Sequence, residues 1–72
     1  MKQTVDARGL SCPQPVLLAM QAMRAAGSGE IEVVVDNEAS RENVGRAAQS
    51  QGWSVAVTDL GNDEFRLDLA KS

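Results

Sequence analysis

Two hydrophobic rhythms divide the chain. In residues 30–36, Ile31, Val33 and Val35 alternate with Glu32, Val34 and Asp36, the period of a strand with one buried face. The same alternation sets Trp53, Val55 and Val57 against Ser54, Ala56 and Thr58, and Phe65, Leu67 and Leu69 against Arg66, Asp68 and Ala70. Residues 2–7 read as a shorter first strand. Between these segments the period changes to helical. Val16, Met20 and Met23, with Ala19 and Ala26 on the same side and Leu17 and Leu18 widening the face, predict a helix from about residue 13 to 26, closed by Gly27-Ser28-Gly29. A second helix begins among the N-cap candidates of residues 36–40 and reaches about residue 51, with Val44, Ala47 and Ala48 inward and Glu42 and Arg46 paired outside. Gly45 inside it costs about 1 kcal/mol relative to Ala and reads as room for a close neighbour. Gly52 ends this helix, and Gly61-Asn62-Asp63 is a turn.

The predicted order is β-α-β-α-β-β. Each strand has one apolar and one mostly polar face, so both helices must cover the same side of the sheet. The expected fold is an α/β two-layer sandwich, a four-stranded mixed sheet with two helices on one face. The first two strands are expected to run parallel through a right-handed crossover, and the last two to form an antiparallel hairpin. At 72 residues, the chain reads as a single domain, 1–72. The polar outer sheet face points to a monomer.

The net charge of −3 argues against direct nucleic-acid binding, which needs a surplus of Lys and Arg, and favours protein partners with basic docking surfaces. No apolar run approaches the roughly 20 residues that span a bilayer, so no membrane role is expected. The first residues turn polar at once, and a cytoplasmic location is expected. One cysteine and no histidine exclude an internal disulfide, a zinc site and a Cys–His catalytic pair within the chain. No cofactor or metal is expected.

Candidate chemistry concentrates at Cys12-Pro13-Gln14-Pro15, where the first loop becomes the first helix. Pro13 suits a first helical position, which makes Cys12 the expected N-cap. A helix start carries about half a positive charge, and a cysteine there has its pKa lowered from near 8.5 to roughly 3.5–7.5. The Gln14 N–H is the expected donor to the thiolate, Arg8 an aid if it folds back, Gly9 the turn residue, and the two prolines stiffen the segment. The competing reading is an inert, buried cysteine, and spacing alone leaves the two near balance. Met20 and Met23 read as core, Trp53 as packing, and Asp36, Glu38 and Glu42 as capping and dipole complements.

Residues 5–16, Val-Asp-Ala-Arg-Gly-Leu-Ser-Cys-Pro-Gln-Pro-Val, resemble the signature of the TusA/SirA family of small bacterial sulfur carriers. The resemblance covers nearly the whole chain. It implies a βαβαββ fold similar to the C-terminal domain of translation initiation factor 3, and a sulfurtransferase activity without a cofactor. Cys12 would take sulfane sulfur as a persulfide from a cysteine desulfurase or other donor protein and pass it to an acceptor protein. Asp6, Arg8, Gly9, Pro13, Gln14 and Pro15 would support that site. Residues 35–44 and 50–53 look more like the N-terminal domain of YedF, a family linked to selenium metabolism, and shift the expectation away from tRNA thiolation. The alternatives are selenium as cargo, a regulatory protein-binding module without transfer, and, by fold analogy alone, RNA binding.

Overall fold

A computed structural model describes residues 2–11 and 13–72; Cys12 lies outside the described residues. The strands are β1 (Lys2–Asp6), β2 (Gly29–Val35), β3 (Ser54–Gly61) and β4 (Glu64–Lys71). The helices are α1 (Gln14–Ala26) and α2 (Glu38–Ser50). The sheet order is β1-β2-β4-β3, with β1 parallel to β2 and the other pairs antiparallel. The expected two-layer architecture is therefore present, and the last strand runs down the middle of the sheet beside β2.

Register explains the core. Ile31 stands opposite Leu69, and Val33 opposite Leu67 on one side and Val5 on the other. Ile31, Val33, Val35, Leu67 and Leu69 are buried, with Ala19, Ala22, Met23, Val44, Ala48 and Trp53 packed over them. The opposite sheet face carries Thr4 and Asp6, Glu32 and Val34, Arg66 and Asp68, and Ala56 and Thr58 at its register positions. The β3–β4 turn is made by Asn62 and Asp63, both with positive φ (54° and 63°). That is the two-residue hairpin geometry that asparagine and aspartate tolerate.

Three expectations need correction. First, α1 is rotated from the predicted face: Pro15, Ala19, Ala22 and Met23 are buried, while Leu17 is 53% exposed and Ala26 is exposed. Small alanines let the helix lie close on the sheet, and Val16 and Met20 turn toward the seam with α2, where they are half-buried. Second, Gly45 does not serve a close approach. A β-carbon there would meet Leu67 Cδ2 and Val55 Cγ1 at 3.8 Å, ordinary van der Waals distance. Third, the inner stripe of α2 is Ser40, Val44 and Ala48, with Ala47 half-buried toward α1. Asn37 is the N-cap and accepts the Ser40 N–H on Oδ1 at 2.7 Å. Ser40 is itself 2% exposed, and its hydroxyl has no partner among the described residues.

Candidate functional site at the first loop and the start of the first helix

Strands β1 and β2 run parallel, so the loops after them leave the sheet side by side. That topology brings residues 7–11 against the start of α2 although they are far apart in sequence. Ala7 is fully buried and donates its N–H to Val34 O at 2.8 Å, extending the β1–β2 ladder by one bond. Beyond it the chain turns through Gly9, whose φ of 77° lies in the left-handed region that a side chain would resist.

Three polar ties hold this loop. Arg8 donates its backbone N–H to Asp6 Oδ1 at 3.1 Å, its Nε to Oδ1 at 3.0 Å and an Nη to Oδ2 at 2.9 Å. Its other Nη lies 3.6 Å from Glu64 Oε1 at the start of β4. Gly9 donates its N–H to Asp36 Oδ2 at 2.7 Å. Asp36 Oδ1 in turn accepts from Asn37 Nδ2 at 3.2 Å, so the loop is wired to the residue that caps α2. The hydrogen bonds from the Arg8 side chain and backbone hold the Asp6 carboxyl down at about 2. The same contact pushes the Arg8 guanidinium further above its usual range.

The geometry revises the expected activation of the cysteine. Pro13, not Cys12, is the N-cap of α1, with its carbonyl accepting the Leu17 N–H at 3.1 Å, and Pro15 occupies the first turn of the helix. The Gln14 N–H, expected to serve a thiolate, is donated to Ser11 O at 2.9 Å. That bond commits the Gln14 N–H to the backbone, and the helix starts one residue later than predicted. Arg8 does not fold back as a free cation, because Asp6 and Glu64 compensate its charge. The helix itself remains as an electrostatic device. The first turn of α1 has no acidic residue, so its partial positive charge is not neutralised from within.

Of the predicted supporting residues, the structure joins Asp6 with Arg8 in one clamp and ties Gly9 to Asp36. Pro13 and Gln14 are exposed and Pro15 is buried. Cys12, the predicted reacting residue, lies outside the described residues. Two contributors were missed from sequence: Asp36, read only as a capping residue, and Glu64. Neither carries a local signal, since the Gly9–Asp36 bond spans 27 positions. Among the described residues no cluster of three or more His, Cys, Asp or Glu side chains is arranged to hold a metal ion. Among the described residues no helix is long and apolar enough to cross a membrane.

Comparison with known proteins agrees with this fold. A protein of Methanocaldococcus jannaschii named "Putative sulfur carrier protein" is 34% identical over 68 residues, 93% of this chain and 91% of that protein. The crystal structure of a SirA-like protein from Desulfitobacterium hafniense superposes with a TM-score of 0.88 at 32% identity, covering 97% of this chain and 96% of the other. The profile of the family described as Sulfurtransferase TusA matches residues 3–71. The chain belongs to the TusA sulfurtransferase family.

Proposed function

We propose that this chain is a sulfur carrier that takes sulfane sulfur as a persulfide on Cys12 and passes it to an acceptor protein. The observation that supports the proposal is that the chain's one cysteine directly precedes in sequence Pro13, the cap of α1, and follows residues 6–9, which Asp6, Arg8 and Asp36 tie down. Such a site needs no cofactor. The Cys12 thiolate attacks the terminal sulfur of a donor persulfide, that of a cysteine desulfurase being the natural candidate. A sulfur–sulfur bond forms to Cys12, the donor's sulfur–sulfur bond breaks, and the donor cysteine leaves as thiolate. An acceptor thiolate later repeats the attack on the Cys12 persulfide, returning Cys12 to thiolate. A lowered thiol pKa helps both steps, supplying the nucleophile first and the leaving group second.

In this reading residues 1–72 act as one monomeric module in the cytoplasm, where reducing conditions keep the thiol free between transfers. Asp6, Arg8 and Gly9 fix the loop; Pro13, Gln14 and Pro15 fix the helix start. The test is mass spectrometry after incubation with a cysteine desulfurase and cysteine. The wild type should gain about 32 Da, one sulfur atom, and Cys12→Ser should gain nothing. The same increment on Cys12→Ser overturns the proposal. Incubation with a selenium donor in place of cysteine distinguishes the cargo by the size of the increment.

A further inference from the structure

The charge of this protein is unevenly spread. Of its ten acidic residues, only Glu38 and Glu42 lie on helices; the rest belong to strands and loops. Helix α1 carries a single charged residue, Arg24. The outer seam between the helices consequently has basic borders and is apolar beside Pro13 but more polar toward Gln51 and Lys71, although the whole chain is acidic.

At its first end the seam opens into a wide, shallow hollow of about 460 Å³ lined by Pro13 and Val16 of the α1 side and Asn43, Arg46, Ala47 and Ser50 of α2. At its other end a hollow of about 200 Å³ is lined by Met20, Met23, Arg24, Gln51, Trp53 and Lys71, together with Gly27. Leu17, half exposed, follows Pro13 by one helical turn and widens the apolar strip outward. The cations along this line are weakly committed. Arg24 pairs with no carboxylate among the described residues. Among the described residues Arg46 pairs with Glu42, at 3.6 Å with both side chains well exposed. Lys71 donates to a backbone carbonyl, Gln51 O, at 3.2 Å.

Helix α1 has 13 residues, so the seam is about 20 Å long at the usual rise. That length suits three to four turns of a docked helix, with apolar side chains at three- and four-residue spacing over the hollow beside Pro13 and charged ones over the rims. The rims dictate the sign of those charges.

We infer that the α1–α2 seam is the docking groove for an acidic amphipathic helix of a sulfur-exchanging partner, its carboxylates meeting Arg24 and Arg46 and its apolar stripe filling the hollow beside Pro13. The inference rests on the sulfur-carrier reading for the identity of the partner, but the groove's preference does not depend on the thiol. Pro13 directly follows Cys12 in the chain, so a helix seated in the first hollow delivers its own protein to the reacting residue. The groove supplies the specificity that the exchange chemistry lacks, and its charge adds to encounter rate at low salt.

The test is amide chemical-shift mapping with two synthetic peptides of about 14 residues, long enough for the seam at 1.5 Å per residue. One has Leu at three- and four-residue spacing flanked by Glu; the other has Lys in place of each Glu. The Glu peptide should shift amides of residues 16–24 and 43–51 in wild type and equally in Cys12→Ser. Binding should weaken roughly 10-fold or more in the double variant Arg24→Glu, Arg46→Glu, since each weak attraction becomes a repulsion. Equal binding of the Lys peptide, shifts confined to the sheet, or no shift at all overturns the groove. So does concentration-dependent shifting of the same amides without peptide, which would make the occupant a second copy, or stronger shifts with a single-stranded oligonucleotide. Failure of sulfur loading on Cys12 with the peptide still bound would sink the carrier reading and leave the groove standing.

Discussion

Asp36 is the residue whose role the structure changes most, and its removal gives a sharp expectation. Asp36→Ala deletes the 2.7 Å bond from the Gly9 N–H. Bonds to charged groups contribute roughly 1.5–3 kcal/mol when well shielded. Here Asp36 is half-buried and Gly9 exposed, so water recovers part of the loss and about 1 kcal/mol is expected to remain. The 3.2 Å contact from Asn37 adds little, because Asn37 keeps its own bond to Ser40. A domain of this size has roughly 4–10 kcal/mol in hand, so the variant stays folded with a loosened loop. Trp53, the chain's one tryptophan and 4% exposed, reports unfolding in urea. With a slope near 1 kcal/mol per molar, the midpoint should fall by about 1 M. Exchange of the Gly9 amide hydrogen should quicken by roughly 5-fold, the factor that about 1 kcal/mol represents. Asp36→Asn retains an acceptor of the same shape and should recover about half of the loss. An unchanged midpoint together with unchanged Gly9 exchange in Asp36→Ala would refute the reasoning.

Three further expectations follow from single contacts. The Asp6 carboxyl is held at about 2 against an ordinary 3.8 by its bonds to Arg8; a depressed carboxylate stabilises the fold above its unfolded pKa and loses that contribution as pH falls through the folded one. Wild type should therefore be more stable than Asp6→Asn above about pH 4, the unfolded aspartate range, and the difference should close on acidification toward pH 2, as followed by Trp53 fluorescence in urea at each pH. Gly45→Ala should raise stability by about 1 kcal/mol, because the helix gains propensity and the new methyl group meets only ordinary contacts at 3.8 Å; a loss of stability in urea would show that the β-carbon is not tolerated. Ser40→Ala should be neutral or stabilising by up to about 1 kcal/mol, since it removes a buried hydroxyl without a partner among the described residues, whereas a clear loss by the same assay would reveal a bond formed in solution.

What could be seen from sequence was whatever is written locally. The alternation at 31, 33 and 35 and again at 67 and 69 names the buried sheet face directly, and the structure buries all five. Gly27 closes α1 with its N–H on Met23 O at 2.9 Å, as a glycine just past a last turn should. The rotation of α1 was hidden because alanines carry little weight in a hydrophobic pattern, yet Ala19 and Ala22 are what lets the helix sit close, leaving Leu17 outside. The helix start was misplaced by one residue because Pro13 is acceptable both as first helical residue and as cap; the Gln14-to-Ser11 bond decides it. The ties from Gly9 to Asp36 and from Arg8 to Glu64 depend on strand order and register, which pair distant segments and leave no trace in local spacing. The carboxylates that hold residues 8 and 9, Asp6, Asp36 and Glu64, come from the structure.

The central claim is that Cys12 both receives and releases sulfur, and a load-and-discharge cycle tests it most directly. The chain, loaded by a cysteine desulfurase and separated from it, is mixed with a reduced thiol acceptor and followed by intact mass. The account predicts that the increment of about 32 Da leaves Cys12 as the acceptor gains it, and that the same molecules load again in a second round. Sulfur that stays on the chain, or that departs only as Cys12 becomes locked in a mixed disulfide, would contradict it.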